Sequence, residues 1–164
     1  MRRDSGFTAF DVAITLAIVA VLASVSMPSF LKWLQGHRLR GAAINLMADI
    51  EMAKVRAIRE GAFVSIQLAA NNYSVFLDDG AGGGVAGDMI RNGGESLVQD
   101  RRLPAGVRVS LSDLNLADYR MRFNSRGLPP GLTAALIPAA LIPLENEFGR
   151  KTVRVNRLGS VKIQ

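Results

Sequence analysis

The 164-residue chain has no cysteine and a single histidine, His37. The first absence excludes a disulfide framework and a thiolate zinc site, and it leaves the redox compartment unreadable from cysteine usage. The second makes a Ser-His-Asp triad or a histidine-rich metal site hard to build. No Gly-Lys-Ser/Thr comes after the glycine-rich stretch at residues 78–88, DDGAGGGVAGD, so that stretch is no phosphate loop. It also lacks the alternating acids and closing glutamate of an EF-hand. Calcium held by Asp78, Asp79 and Asp88 is one reading of it. The favoured reading is a mobile surface loop with no core of its own. No cofactor and no enzymatic turnover are expected.

Charge is missing where its absence says most. Residues 12–27 carry none, and across residues 6–30, GFTAFDVAITLAIVAVLASVSMPSF, Asp11 is the only ionisable side chain. Residues 7–30 together are long enough to cross a membrane. A carboxylate near the start of such a run is costly and asks for a partner. A cleaved secretory signal fits poorly, because the apolar run is too long and Ser24-Val25-Ser26 is a weak cleavage site. Arg2 and Arg3 precede the run while Lys32, Arg38 and Arg40 come after it, so charge bias does not orient it. A plain anchor fits the length but explains neither Asp11 nor the glycine directly before Phe7.

Beyond the run the chain becomes patterned. Leu39, Ala43, Leu46, Ile50, Ala53 and Ala57 recur in helical steps, with Arg38, Arg40, Asp49, Arg56 and Arg59 placed mostly off that stripe. Arg56 and Glu60 form an i,i+4 pair. Gly36 and Gly41 are weak points, and Gly61 ends the pattern as a C-cap glycine does. A helix from residue 7 to residue 60 would be about 80 Å long. Alternating strands come next. Val64, Ile66 and Leu68 turn through Asn71-Asn72 into Tyr73, Val75 and Leu77. Val107, Val109 and Leu111 alternate next, then Tyr119, Met121 and Phe123, then Val153 and Val155, and Val161 and Ile163 about Lys162. Tyr73 and Tyr119 read as core. Residues 127–149 read as a second loop containing Ala-Leu-Ile-Pro twice, at 135–138 and 140–143; its prolines forbid a central strand. An apolar edge there is covered by a neighbour or, preferably, by its own domain. The expected fold class is α+β, one long N-terminal helix packed on a small antiparallel sheet.

Gly6-Phe7-Thr8, an acid four residues after the phenylalanine, and an apolar run reaching Pro28 resemble the prepilin signature of type IV pilins and type II secretion pseudopilins. The C-terminal order is similar to the minor pseudopilin H and FimT group. That order has a hairpin ending in Asp-Asp-Gly, then Phe123-Asn124-Ser125-Arg126-Gly127, then a strand-Gly-strand hairpin through Gly159. The resemblance implies a leader at residues 1–6, cut between Gly6 and Phe7 by a prepilin peptidase that methylates Phe7. It implies a membrane and assembly helix at 7–30. A periplasmic domain is implied at 31–164, with an amphipathic helix at 31–60 and the sheet at 62–164. Here Ala9, Phe10, Asp11 and Val12 replace the family's Leu, small aliphatic, Glu and Leu.

The implied role is a minor pilin or pseudopilin, a structural subunit anchored once in the bacterial inner membrane. Its partners would be other pilins, the peptidase and membrane lipid. Asp11 would pair with the amine of a neighbouring subunit, or serve only as a cap of its own helix. The alternative is a DNA-binding minor pilin. The net charge is +6, and Arg150, Lys151, Arg154, Arg157 and Lys162 cluster near the C-terminus where phosphates would be tracked. No aromatic is interleaved with those cations for base stacking, and a solvated cationic face that aids solubility is preferred.

Overall fold

The computed structural model describes residues 9–132 and 138–164. Helix α1 runs Ala9–Glu60 and is followed, among the described residues, by eight strands. These are β1 (Phe63–Leu68), β2 (Asn72–Asp78), β3 (Leu97–Arg102), β4 (Arg108–Val109), β5 (Arg120–Phe123), β6 (Ala139–Asn146), β7 (Gly149–Asn156) and β8 (Val161–Ile163). The chain divides into two compact units, Met1–Gln35 and Gly36–Gln164.

In the first unit the described helix is largely apolar, and it is exposed from residue 9 to residue 33. Pro28 lies inside the helix, where its ring removes one backbone donor. The hydroxyls of Ser24 and Ser26 turn back onto the carbonyls of Val21 and Leu22 at 2.7 and 2.9 Å. These serines thereby satisfy their own polar groups within an apolar surface.

In the second unit the helix buries Leu39, Ala42, Ala43, Leu46, Asp49, Ile50, Ala53 and Ala57. Every apolar residue of the expected stripe is among them. Small residues at 42, 43, 53 and 57 let the strands approach the helix closely. Gly61 ends α1 with φ +65°, the left-handed turn that only glycine adopts without strain. The Arg56–Glu60 pair forms on the exposed flank at 3.8 Å.

The α+β class holds, and the antiparallel strands are divided between two sheets of four. Their orders are β3-β2-β1-β5 and β4-β6-β7-β8. The first hairpin turns at Ala70-Asn71, one residue before the expected Asn71-Asn72, with Ala69 N donating to the Asn72 carbonyl at 2.8 Å; Val64 is opposite Leu77, Ile66 opposite Val75 and Leu68 opposite Tyr73. One hydrophobic cluster joins the helix stripe to Val64, Ile66, Tyr73 and Val75 of the first sheet and to Ile142, Leu144, Val153 and Val155 of the second. No described residue before Leu39 contributes to it.

Other expectations are corrected as well. Tyr119 is 44% exposed. Asp118 and Tyr119 both have positive φ, 52° and 58°, and turn the chain before β5 begins, so the strand alternation never reaches Tyr119. The second Ala-Leu-Ile-Pro segment is an interior strand, β6, between β4 and β7. Pro143 lies opposite Thr152, whose own N–H is given to Gln164 on the far side. That pair needs no donor from Pro143, and β4 is only two residues long, so the missing N–H breaks no ladder. The apolar face of β6 is covered by its own unit, with Ala140, Ile142 and Leu144 fully buried. The first copy of the repeat lies largely outside the described residues.

The glycine-rich stretch does have a centre. Asp78 is buried and accepts hydrogen bonds from Ser65 Oγ at 2.5 Å, Gly87 N at 2.6 Å and Met89 N at 2.9 Å. Glu95, also buried, accepts from Gly80 N and Asn92 N. Two carboxylates that each gather backbone donors organise a loop too glycine-rich to bury side chains. Asp49, expected off the apolar stripe, is buried within it.

Candidate assembly site

Asp11 lies in the first helical turns among the described residues, and its carbonyl accepts the Thr15 hydroxyl at 2.8 Å. Around it Phe10, Val12, Ile14, Leu16, Ile18 and Val19 are all exposed. The described helix is long and apolar enough to cross a membrane. Gly6 and Phe7, the expected cleavage and methylation residues, lie outside the described residues.

The five C-terminal cations are placed unequally. Arg154 and Lys162 are directly opposite each other on β7 and β8. With Asn156, Ser160 and Gln164 they line a shallow cavity of about 200 Å³. Like charges facing across a ladder are mildly unfavourable. Arg150 is neutralised instead. It donates to Asp113, to Glu145 at 3.0 Å and to Ser110 Oγ at 3.4 Å. These contacts hold the carboxyls of Asp113 and Glu145 below their usual range, through the Arg150 hydrogen bond first, and hold the guanidinium above its own. Lys151 belongs to the opposite side of the β7 pleat, in phase with Val153 and Val155. Arg157 stands in the turn after β7. So the structure brings two of the five together.

The acids considered for calcium are spent on the chain itself. Asp78 is satisfied as described, Asp79 accepts Ala81 N, and Asp88 accepts Ile90 N and Asn92 Nδ2. Among the described residues no three acid or histidine side chains converge as a metal site would require.

A buried ionic cluster is not apparent in the sequence. Asp49 is 7% exposed. It accepts from Tyr73 Oη at 2.7 Å and from Arg101 Nε and Nη2 at 2.7 and 3.3 Å. Helix, β2 and β3 are thereby tied at one point. Burial, and then the Asp49 bond, push the Tyr73 phenol well above its ordinary value; the same carboxylate raises Arg101. The one available signal is spacing, since Asp49 is one helical turn from Leu46 and from Ala53.

Two matching turns flank the helix end. Asn124 Oδ1 accepts Arg126 N and Leu128 N, and Asn156 Oδ1 accepts Leu158 N and Ser160 N. Gly127 and Gly159 both have φ +72°. A Cβ on Gly127 would lie 2.7 Å from Ile58 Cδ1, and one on Gly159 would lie 2.5 Å from the Gly127 carbonyl. Lys54 Nζ donates to the Gly159 carbonyl at 2.9 Å.

An exposed apolar helix that continues into a helix packed on antiparallel sheets defines the pilin-like class of proteins. Within that class the assignment is narrower. The family described as Type II transport protein GspH matches residues 42–159, most of the chain, and the chain belongs to that family. Solved structures agree in fold. The type IV minor pilin FimU of Pseudomonas aeruginosa PAO1 is similar at TM-score 0.58 and 14% identity, over 80% of this chain and 92% of that one. The minor pseudopilin EpsH of the Vibrio cholerae type 2 secretion system is similar at TM-score 0.55 and 11% identity, over 77% and 96%. At such identities the likeness is one of fold. No curated protein matches the chain in sequence.

Proposed function

We propose that this chain is a minor pilin or pseudopilin, a non-catalytic subunit of a type II secretion pseudopilus or a type IV pilus. Residues 1–6 are its leader, removed by a prepilin peptidase that methylates Phe7. Residues 7–30 insert in the inner membrane, and residues 31–164 form a periplasmic domain. The single observation that carries this reading is the exposed apolar first half of α1 on a chain of the GspH family. Such a surface needs lipid before assembly and neighbouring helices after it. Asp11, the only ionisable side chain in residues 9–31, pairs with the amine at Phe7 of an adjacent subunit. Mass spectrometry of the mature N-terminus tests the processing: a chain beginning at methylated Phe7 is expected, and a retained leader or a cut after Ser26 overturns it. Asp11→Ala is expected to leave the periplasmic domain folded and to lower incorporation into filaments. Normal incorporation would reduce Asp11 to a helix cap.

The second reading is DNA binding, supported by the facing pair Arg154 and Lys162. With Arg150 committed to two acids, few phosphates are engaged and the salt dependence is shallow. A gel shift at low salt tests it; absence of binding there removes it.

A further inference from the structure

Helix α1 carries no ionisable side chain between Asp11 and Lys32, so residues 12–31 form an uncharged stretch of twenty residues. At 1.5 Å per residue the stretch is about 30 Å long, which matches the hydrocarbon core of a bilayer. Thr15, Ser24 and Ser26 within it give their hydroxyls to the helix's own carbonyls. Thr15 Oγ1 donates to Asp11 and Val12 at 2.8 and 2.9 Å, and the two serines do the same one turn back. These groups need no water, as a hydrocarbon setting requires.

The two ends of the stretch are chemically unlike, and both lie in the Met1–Gln35 unit. One end is the lone carboxylate of Asp11. The other is aromatic and basic. Phe30 and Trp33 are one turn apart, with ring centroids 5.9 Å apart and planes tilted by 30°. Both residues are more than half exposed, at 55% and 58%. Lys32 stands between them in sequence and is exposed as well. An indole has an apolar body and one N–H donor, so it is best placed where hydrocarbon meets water. A lysine stem lies along apolar chains while its ammonium stays in the wet layer.

We propose that Phe30, Lys32 and Trp33 form an interfacial anchor for phospholipid headgroups, which sets how deep α1 sits in the bilayer. The anchor rests on the membrane reading above and fixes the register of the helix within it. Phe30 and Trp33 lie in the headgroup layer of one leaflet, with the Lys32 ammonium at the phosphates. Residues 12–31 cross the hydrocarbon, and Asp11 falls in the headgroup layer of the other leaflet. Sliding is opposed in both directions. A shift toward the Trp33 side draws the Asp11 carboxylate into hydrocarbon, and the reverse shift draws in the Lys32 ammonium. The Asp11 carboxylate is therefore hydrated in the unassembled subunit, which can wait in the membrane without burying a lone charge.

Trp33 is the only tryptophan of the chain, so its native fluorescence reports its depth. The test places the full chain in phosphatidylcholine–phosphatidylglycerol vesicles whose acyl chains carry bromine either next to the headgroups or at the bilayer centre. Quenching several-fold stronger from the bromines next to the headgroups is expected. Stronger quenching from the bilayer centre, or quenching by neither lipid, overturns the placement. Vesicles with longer acyl chains should leave the emission maximum where it is, because an anchored ring follows the headgroups while tilt or local thinning absorbs the mismatch. A maximum that moves to shorter wavelength as the chains lengthen overturns the anchor, since Trp33 would then be sinking with a helix held elsewhere. Trp33→Phe with Phe30→Trp moves the probe one turn inward and should shift quenching toward the central bromines; an unchanged ratio counts against the register. Vesicle flotation is scored alongside. A chain that does not float with the vesicles removes the membrane reading itself, whereas one that floats with Trp33 at another depth removes the anchor alone.

Discussion

Arg101→Leu should destabilise the Gly36–Gln164 unit, because it removes the charged partner of the buried Asp49. Asp49 has three donors, two from Arg101 and one from Tyr73. Losing Arg101 leaves a buried carboxylate with one neutral partner. Breaking a fully buried pair costs about 3–5 kcal/mol. The Arg101 side chain is 36% exposed, so solvent screens part of the charge, and about 1–3 kcal/mol remains. Tyr73→Phe removes a hydrogen bond to a charged acceptor and should cost about 1.5–3 kcal/mol. Replacing both members, Asp49→Leu with Arg101→Leu, removes the charge together with its partner. The double variant should recover much of the loss, with a coupling of about 1–2 kcal/mol. The assay is urea unfolding of the Gly36–Gln164 unit, whose core uses no described residue before Leu39, with the denaturant slope unchanged between variants. A loss under about 0.5 kcal/mol for Arg101→Leu, with no coupling, would refute the argument, since it would mean water already solvates Asp49. The pH profile checks the same cluster. The Tyr73 phenol is raised from 10.0, so its contribution is whole below about pH 10 and is lost as pH rises beyond it. Tyr73→Phe should abolish that alkaline loss.

The Arg150 network should act in acid. Asp113 and Glu145 are held below their ordinary 3.8 and 4.5, so their contribution is present above those values and fades as pH falls through them. Arg150→Ala should flatten the acid limb of the urea midpoint against pH. Gly41→Ala should stabilise by about 0.5–1 kcal/mol, because a Cβ there meets nothing within 4 Å and a helical glycine costs about that much; differential unfolding in urea reads it. Gly159→Ala should destabilise by about 2 kcal/mol or more, since φ is +72° and the added carbon would strike the Gly127 carbonyl. Thermal unfolding would show the lower midpoint.

The legible parts of this fold are those set by local rules. The stripe from Leu39 to Ala57 is readable because period and burial agree at every apolar position. The alternation of β1 and β2 is readable because Val64, Ile66 and Leu68 meet Tyr73 and Val75 on one buried face, while the turn itself falls at Ala70-Asn71 and Asn72 already belongs to β2. Three features depend on distant residues and are not legible. The charge of Asp49 points to solvent and outweighs its spacing, while its partners lie 24 and 52 residues away. Strand β3, LVQDRR, has no apolar alternation and is recruited by β2 and by Arg101. Pro143 is tolerated only because β4 stops short, a fact of another segment. The candidate site divides in the same way. Asp11 is conspicuous within its own stretch, but its proposed partner is an amine on another molecule.

The separation of the core from residues before Leu39 sets where assembly energy must come from. Phe10, Val12, Ile14, Leu16, Ile18, Val19, Val21, Leu22, Val25, Met27 and Phe30 are exposed, and covering them is worth on the order of 10–20 kcal/mol relative to water. That term keeps the helix out of water but does not choose between its two apolar environments. Lipid tails and neighbouring apolar helices are nearly equal solvents for it. On the proposed reading, a step from membrane to filament turns on smaller, directional terms: packing of side chains, the proposed charge pair at Asp11, and contacts between folded domains. Each is only a few kcal/mol, so losing one should shift the population of assembled subunits without unfolding any of them. Asp11→Ala is then expected to lower incorporation while leaving the urea midpoint of the Gly36–Gln164 unit unchanged, because Asp11 lies outside that unit and its core. A shifted midpoint accompanying the lost incorporation would show instead that Asp11 acts on folding and not on assembly.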